Sequence, residues 1–572
     1  MKFRSTLAVA ATVIVALTVT GCTAGGRPAP GPSGNADPYA AVVVKPGFDS
    51  VGGNVNVLMS ADFMTLDPGN SNYVQTANVG QLYYRTLTMA KETSGQSPEI
   101  VPDLATDTGT VSDDGLTWSF TLKEGLLFED GTPITSEDVK YGVARTYARD
   151  VFTQAPQELN AALDSDTYKG PYASDAEFTA VETPDARTVI FHLKRPFSEF
   201  AALVSRSNTA PVPADKDTML DYTNHPVSSG PYMIESYDRG RKLNLVRNPH
   251  WDPATDENRT ALPDTFTFSL STSQATISQQ MLGDADPTAI TLESNGAMQA
   301  SDTTRLNEPS IAERTASGLL GCIDTINFNT ETITDPDVRH AIALAMDRAA
   351  MQVQYGGLRF GQITNSSLNP NMVGYVEQDS DLNIDGSPQL DKAKALLEGK
   401  DVPAKLSYGY SNATDRYKNV GTVLQQNLAQ LGIELELRPI PAANYYTVLA
   451  SAEMPDIARA GWCGGADSNS VRTTADPNLG TSLDGTTFGF SNIPRYYDSE
   501  ISPKMYALRS ANGTAEELGA KWATLYNEAM QTYPLVPLIR SYTNSVVGSQ
   551  IRNAQVGYFF GAIDLSTVGV EQ

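Results

Sequence analysis

Residues Leu116–Arg145 read LTWSFTLKEGLLFEDGTPITSEDVKYGVAR. Trp118, Phe120 and Leu122 alternate with Thr117, Ser119 and Thr121, the period of a strand with one face buried. Lys123-Glu124-Gly125 can turn the chain into the short apolar run Leu126-Leu127-Phe128. Asp130-Gly131 supplies a second tight turn, because glycine takes positive φ without a Cβ clash and aspartate bonds its own backbone. Thr135 then stands as a helix cap. With Asp138 three residues on it makes a capping box, each side chain satisfying a backbone donor that the first helical turn leaves free. Strand, turns and helix in this order predict an α/β protein.

The order of the pieces says more. Strand, Lys-Glu-Gly, aromatic, Asp-Gly-Thr-Pro, Thr and Glu-Asp-Val together resemble the signature of the family-5 extracellular solute-binding proteins, the capture subunits of ABC importers for peptides and nickel. Other segments resemble that family in the same order: Leu66-Asp67-Pro68, Pro102-Asp103-Leu104-Ala105, His225–Tyr232 with Ser228 and Ser229 where Gly-Thr is usual, and Leu243–Pro249. Ile326–Asn329, Asp335–Arg339 with Asp347-Arg348, and Asp391–Leu397 continue the match. The resemblance implies an α/β fold, a two-lobed periplasmic-binding-protein-like clamp with mixed sheets and an extra subdomain in the first lobe. Lobe I would take residues 42–83, 205–318 and 534–572, the extra subdomain 84–204 and lobe II 319–533.

Size and periodicity agree with this. A body of roughly 530 residues exceeds what one hydrophobic core supports, so two or three lobes are expected. Asp335 caps a helix with Pro336 in its first turn, where the missing N–H matters least, and Val338, Ile342, Ala345 and Met346 form one apolar stripe. Val420, Val423, Leu424, Leu428 and Leu431 form another, Gly432 stops it, and Ile433, Leu435 and Leu437 alternate as a strand. A strand, helix, strand unit of this kind implies a mixed or parallel sheet in the second lobe.

The N-terminus reads as an export signal over residues 1–21, with Lys2 and Arg4 ahead of an apolar run from Leu7 to Leu17 that is short for a bilayer span. Val19-Thr20-Gly21-Cys22 resembles a lipobox, which implies that Cys22 becomes a lipidated N-terminus; the alternative is an ordinary signal peptide with an incidental cysteine. Residues 22–41, poor in large apolar groups, read as a flexible tether. The protein is thus expected on the extracytoplasmic face of the cell membrane, held by its N-terminal lipid and acting as a monomer. No later run approaches about 18 apolar residues, so the body itself should be soluble.

The formal charge of −25 becomes −27 when Lys2 and Arg4 leave with the signal, a balance that repels phosphate backbones and excludes nucleic acid as a partner. With Cys22 lipidated, Cys322 and Cys463 remain as an even pair outside the cytoplasm. A disulfide between them is favoured over two buried thiols.

Ile457–Cys463 is the segment expected to touch ligand. Arg459-Ala460-Gly461-Trp462-Cys463 matches a stretch of the oligopeptide-binding members that implies a strand ending at the cleft, a disulfide through the cysteine, and an aspartate three residues after the tryptophan for the peptide α-amine. That position is Gly465 here; either Asp467 takes the role from a longer loop, or the amine anchor is absent. Arg459 suits a ligand carboxylate, because its fork donates two parallel bonds, or else serves an internal ion pair. Trp462 stacks on ligand or fills core. Tyr73, in the loop Asn70–Val74, either borders the cleft or lies on a plain surface loop.

No G-x-S-x-G, H-E-x-x-H, C-x-x-C or G-x-x-x-x-G-K-[ST] occurs, and His192, His225, His250 and His340 have no ligand-like spacing, so neither an enzyme nor a resident metal or cofactor is expected. A secreted hydrolase is the distant rival. A nearer one keeps the fold and changes the cargo to a nickel complex, heme or oligosaccharide, against which the resemblance at Arg459–Cys463 favours an oligopeptide delivered to ABC permease subunits.

Overall fold

A computed structural model of the chain describes residues 39–572 apart from 72, 154, 174–176, 294–299, 413, 464–469 and 483. The residues read as an export signal, Cys22, most of those read as a tether, and Asp467 lie outside the described residues. No helix among the described residues is long and apolar enough to cross a membrane.

The body opens with β1 (Asn54–Leu58), then leaves that sheet. A hairpin follows, β2 (Thr88–Thr93) and β3 (Gln96–Pro102). Then β4 (Thr110–Val111), β5 (Thr117–Thr121), β6 (Val181–Asp185) and β7 (Thr188–His192) form an antiparallel sheet in the order β4-β5-β7-β6. The chain returns with β8 (Tyr232–Asp238), β9 (Lys242–Arg247), β10 (Thr265–Ser269) and β11 (Ala289–Thr291) to complete the order β11-β1-β10-β9-β8. β1 runs parallel to β10 and β11, while β8, β9 and β10 meander, so the sheet is mixed. Val55, Val57, Phe266, Phe268, Leu243 and Leu245 alternate into its core.

The opening stretch folds as read. Trp118 and Phe120 of β5 are buried, and Phe120 meets Phe191 edge-on at 5.8 Å between ring centroids. Gly125 and Gly131 take φ of 76° and 83°. The helix Ser136–Arg145 starts on the Thr135/Asp138 capping box, with the Thr135 N–H donating to Asp138 Oδ2 at 2.8 Å. The apolar run Leu126–Phe128 is folded back by the Asp130-Gly131 turn, and Leu127 bridges Pro133.

The helix ends on Arg145, which is buried and bridges Asp67 and Asp217 at 2.9 Å each while its guanidinium lies over the Phe152 and Tyr222 rings. The Leu66-Asp67-Pro68 segment is therefore the counter-ion of the opening stretch. Pro102-Asp103-Leu104-Ala105 plays a parallel part: Asp103 accepts from Arg85 at 2.7 Å and Arg259 at 2.8 Å. Burial alone would raise the Asp103 carboxyl, but the two guanidinium groups outweigh it and hold it at about 2.

The second lobe is built on β12 (Thr315–Phe328), β13 (Gly361–Ile363), β14 (Lys405–Ser411), β15 (Glu434–Ile440), β16 (Ile457–Cys463) and β17 (Leu535–Val546), in the order β13-β17-β12-β16-β14-β15. β14 is parallel to β15 across the helix Asp415–Ala429, and Gly432 turns between them with φ of 79°. The long strands β12 and β17 serve both bodies. Ala316 and Leu320 pack in the core of the first sheet, and Ile326 and Phe328 in that of the second. Their ladder slips between Leu319 and Ile323, where the chain passes from one core to the other.

Candidate functional site

β12 and β16 pair antiparallel, so residues directly opposite share a face. Trp462 stands opposite Ile323 and Ala460 opposite Thr325 on one face; Gly461 opposite Asp324 and Arg459 opposite Ile326 lie on the other. On that second face the Arg459 guanidinium reaches diagonally to the Asp324 carboxylate. Gly461 makes the meeting possible: a Cβ there would stand 3.0 Å from Asp324 Oδ1 and 3.4 Å from Arg459 Nη2. The guanidinium also covers the Tyr417 ring at 4.2 Å, and burial draws its pKa down to about 10. Cys322 and Cys463, the last opposite pair in the register, are joined as a disulfide.

Trp462 and Cys463 form a wall shared by two cavities. The smaller, about 290 Å³, lies within the second lobe between Trp462, Ile323, Tyr446, Phe490 and Leu535. The indole N–H donates to the Thr473 carbonyl at 3.1 Å, which fixes the ring plane of that wall. The larger, about 590 Å³, lies between the lobes: Tyr73, Tyr84 and Gln81 face it from the first, Phe559 and Phe560 from the last segment of the chain, and Cys322, Trp462 and Cys463 from the second.

Local sequence explains how the first lobe builds its side. Tyr73 precedes the helix Val74–Tyr83, and Tyr84 follows it. The Tyr84 ring lies back across Gly80, where a Cβ would come within 2.3 Å of the ring; any side chain at 80 would expel it. Phe559 is held through its backbone: the N–H groups of Tyr558 and Phe559 donate to the Glu92 carboxylate at 2.6 Å and 3.2 Å. Arg206 and Glu158 supply the charge in this cavity and are paired at 2.7 Å. Arg259 also lines it, already neutralised by Asp103 and Asp256.

The structure thus brings Tyr73, Trp462, Cys463 and Cys322 to one cavity. Arg459 faces the other way, in the ion pair with Asp324. Tyr446, Phe490, Tyr84, Phe559 and Phe560 are cavity residues that the sequence reading did not name. Phe488-Gly489-Phe490 and Tyr558-Phe559-Phe560-Gly561 sit outside any helical or strand period, and aromatic clusters beside glycine were their only signal.

Comparison with known proteins bears on the family and the fold. The profile described as bacterial extracellular solute-binding proteins, family 5 Middle, matches residues 99–477. The chain is 25% identical to the glutathione-binding protein GsiB of Salmonella typhi over 417 residues, 68% of this chain and 70% of that protein. It is similar in structure to clavulanic acid biosynthesis oligopeptide binding protein 2, with a TM-score of 0.83 and 28% identity over 94% of this chain and 98% of that one. The fold is shared with the periplasmic binding protein DppA from Helicobacter pylori in complex with peptide STSA, with a TM-score of 0.64 and 19% identity over 92% and 99% of the two chains.

Proposed function

Because the chain belongs to the bacterial extracellular solute-binding proteins of family 5, we propose that it is the capture subunit of an ABC importer and that its cargo is a short peptide. The observation that carries this reading is the larger cavity, walled from one lobe by Tyr73 and Tyr84 and from the other by Trp462 and Cys463. A ligand there touches both lobes at once. It therefore binds the closed arrangement better than an open one and shifts the balance between them by that difference in affinity. A permease that recognises the closed form would then receive only loaded protein.

Peptide is favoured over other cargo by the wall chemistry. Aromatic faces and a paired Arg206–Glu158 suit a zwitterionic chain whose ends and amides find partners while side chains stack. The names of the relatives, glutathione-binding and oligopeptide binding, point the same way. Tyr73, Trp462 and Cys463 are assigned as contact residues. Arg459 could receive a ligand carboxylate only by releasing Asp324. Asp467 remains the candidate for the peptide amine. Cys22 is assigned as the lipid anchor that keeps the clamp beside the permease.

The test is intact-mass analysis of the protein expressed without its signal, as purified and after unfolding and refolding to strip bound cargo, then titrated with a defined peptide pool. Recovery of unmodified peptides at one per chain supports the reading. Retention of only a metal complex, heme or sugar contradicts it.

A further inference from the structure

Resting on the peptide reading, we infer that the smaller cavity is a side-chain pocket that selects an uncharged apolar group, aromatic before aliphatic, at one position of the bound peptide. None of its described lining residues carries a charge. Besides Tyr446 and Trp462, its polar members are serine, threonine and asparagine, and two are already occupied with each other: Asn327 Nδ2 donates to Thr325 Oγ1 at 2.9 Å, and Thr325 Oγ1 donates to the Ala460 carbonyl at 3.4 Å. The neighbouring charges, Arg459 and Asp324, project from the opposite face of the sheet and neutralise one another. An ammonium or carboxylate entering here would lose its hydration and meet no counter-ion among the described lining residues.

A second observation is independent of the charge count. Phe490 and Tyr446 both line this cavity, yet 62% and 42% of their surfaces stay exposed. Large aromatic residues left to water at the rim of a cavity are covered when an apolar group enters, and Trp462 adds a ring against which that group can stack. The volume, about 290 Å³ against about 590 Å³ next door, suits one side chain rather than a whole ligand. The shared Trp462–Cys463 wall puts the two spaces within reach of one peptide, main chain in the larger and one side chain in the smaller.

The experiment is calorimetry with pentapeptides of alanine in which each position in turn is Phe, Leu, Lys or Glu. At one position Phe should bind about tenfold or more tighter than Ala, Leu in between, and Lys and Glu weaker than Ala. The double variant Phe490→Ala, Tyr446→Ala changes exposed side chains and should fold; it should erase the preference for Phe over Ala at that position. Asn478→Asp, which places a carboxylate on the cavity lining, should raise Lys above Ala at that same position. Equal binding of Phe, Lys and Glu at every position overturns the inference, as does a Phe preference that survives the double variant. Failure of every peptide to bind overturns the peptide reading itself, a result distinct from binding without selectivity.

Discussion

Glu199 Oε1 lies 3.1 Å from Arg472 Nε, joining the segment that follows β7 to the second lobe. The contact is reinforced: Ser470 Oγ donates to the same carboxylate at 2.9 Å, the Arg472 guanidinium covers the Phe197 ring at 4.6 Å, and Arg195 donates to the Arg509 carbonyl at 2.9 Å nearby. Glu199 is buried, and its partner keeps a fifth of its side chain in water. Removing the carboxylate should therefore cost the closed arrangement roughly 1–3 kcal/mol, less than a wholly buried pair would. Glu199→Ala is expected to enlarge the radius of gyration of the ligand-free protein in small-angle scattering and to weaken peptide binding about tenfold. An unchanged radius together with unchanged affinity would show that the pair does not hold the lobes.

Arg459 and Asp324 form the second test. Arg459→Met leaves a nearly buried carboxylate without this partner and should cost about 3 kcal/mol in denaturant unfolding. Arg459→Met combined with Asp324→Asn should cost clearly less than the sum of the two single changes. Because the guanidinium is engaged in this pair, Arg459→Met should weaken a peptide acid and its C-terminal amide alike. A loss confined to the acid would assign Arg459 to the ligand carboxylate.

Glu92 gives a pH dependence. Burial, with Asp564 adding repulsion, raises its carboxyl from 4.5 to about 8 despite the Tyr558 and Phe559 N–H groups. The folded chain thus keeps a proton that the unfolded chain releases above pH 4.5. The resulting stability is whole below that pH and drains away as pH rises through about 8. Glu92→Gln, which cannot ionise, should melt a few degrees higher than the parent at pH 9 and no higher at pH 4. Parallel melting profiles across that range would refute the assignment.

The Cys322–Cys463 bond closes a loop of 141 residues and forms part of the cavity wall. Chain entropy puts its contribution at roughly 4–5 kcal/mol at most. The variant Cys322→Ala, Cys463→Ala should unfold at lower denaturant, with peptide affinity falling as well because β12 and β16 are then free to part at the cleft. Unaltered affinity in a destabilised variant would limit the bond to a scaffold role.

What was legible in the chain follows from range. Elements set by neighbours in sequence were readable: the alternation of β5, the Thr135/Asp138 box, the Asp335-Pro336 start of the helix Pro336–Ala345, and the stop at Gly432. Partners far apart in the chain were hidden. Nothing local tells Arg145 that it will meet Asp67 and Asp217, or Glu199 that it will meet Arg472. At the site, the match at Arg459–Cys463 located the strand, but the direction of Arg459 depended on Asp324, 135 residues away in the chain, and on the space left by Gly461.

The most direct test of the central claim is to separate the lobes' motion from their chemistry. Donor and acceptor dyes are placed on exposed Met64 and Ile384, changed to cysteine in the two bodies, and the protein is stripped of cargo and titrated with the peptide that its intact mass shows it prefers. Transfer between the dyes should change saturably at one peptide per chain, and the peptide should be recovered whole on release. A signal that stays constant through saturation, or a peptide recovered in pieces, would contradict a clamp that captures without reacting.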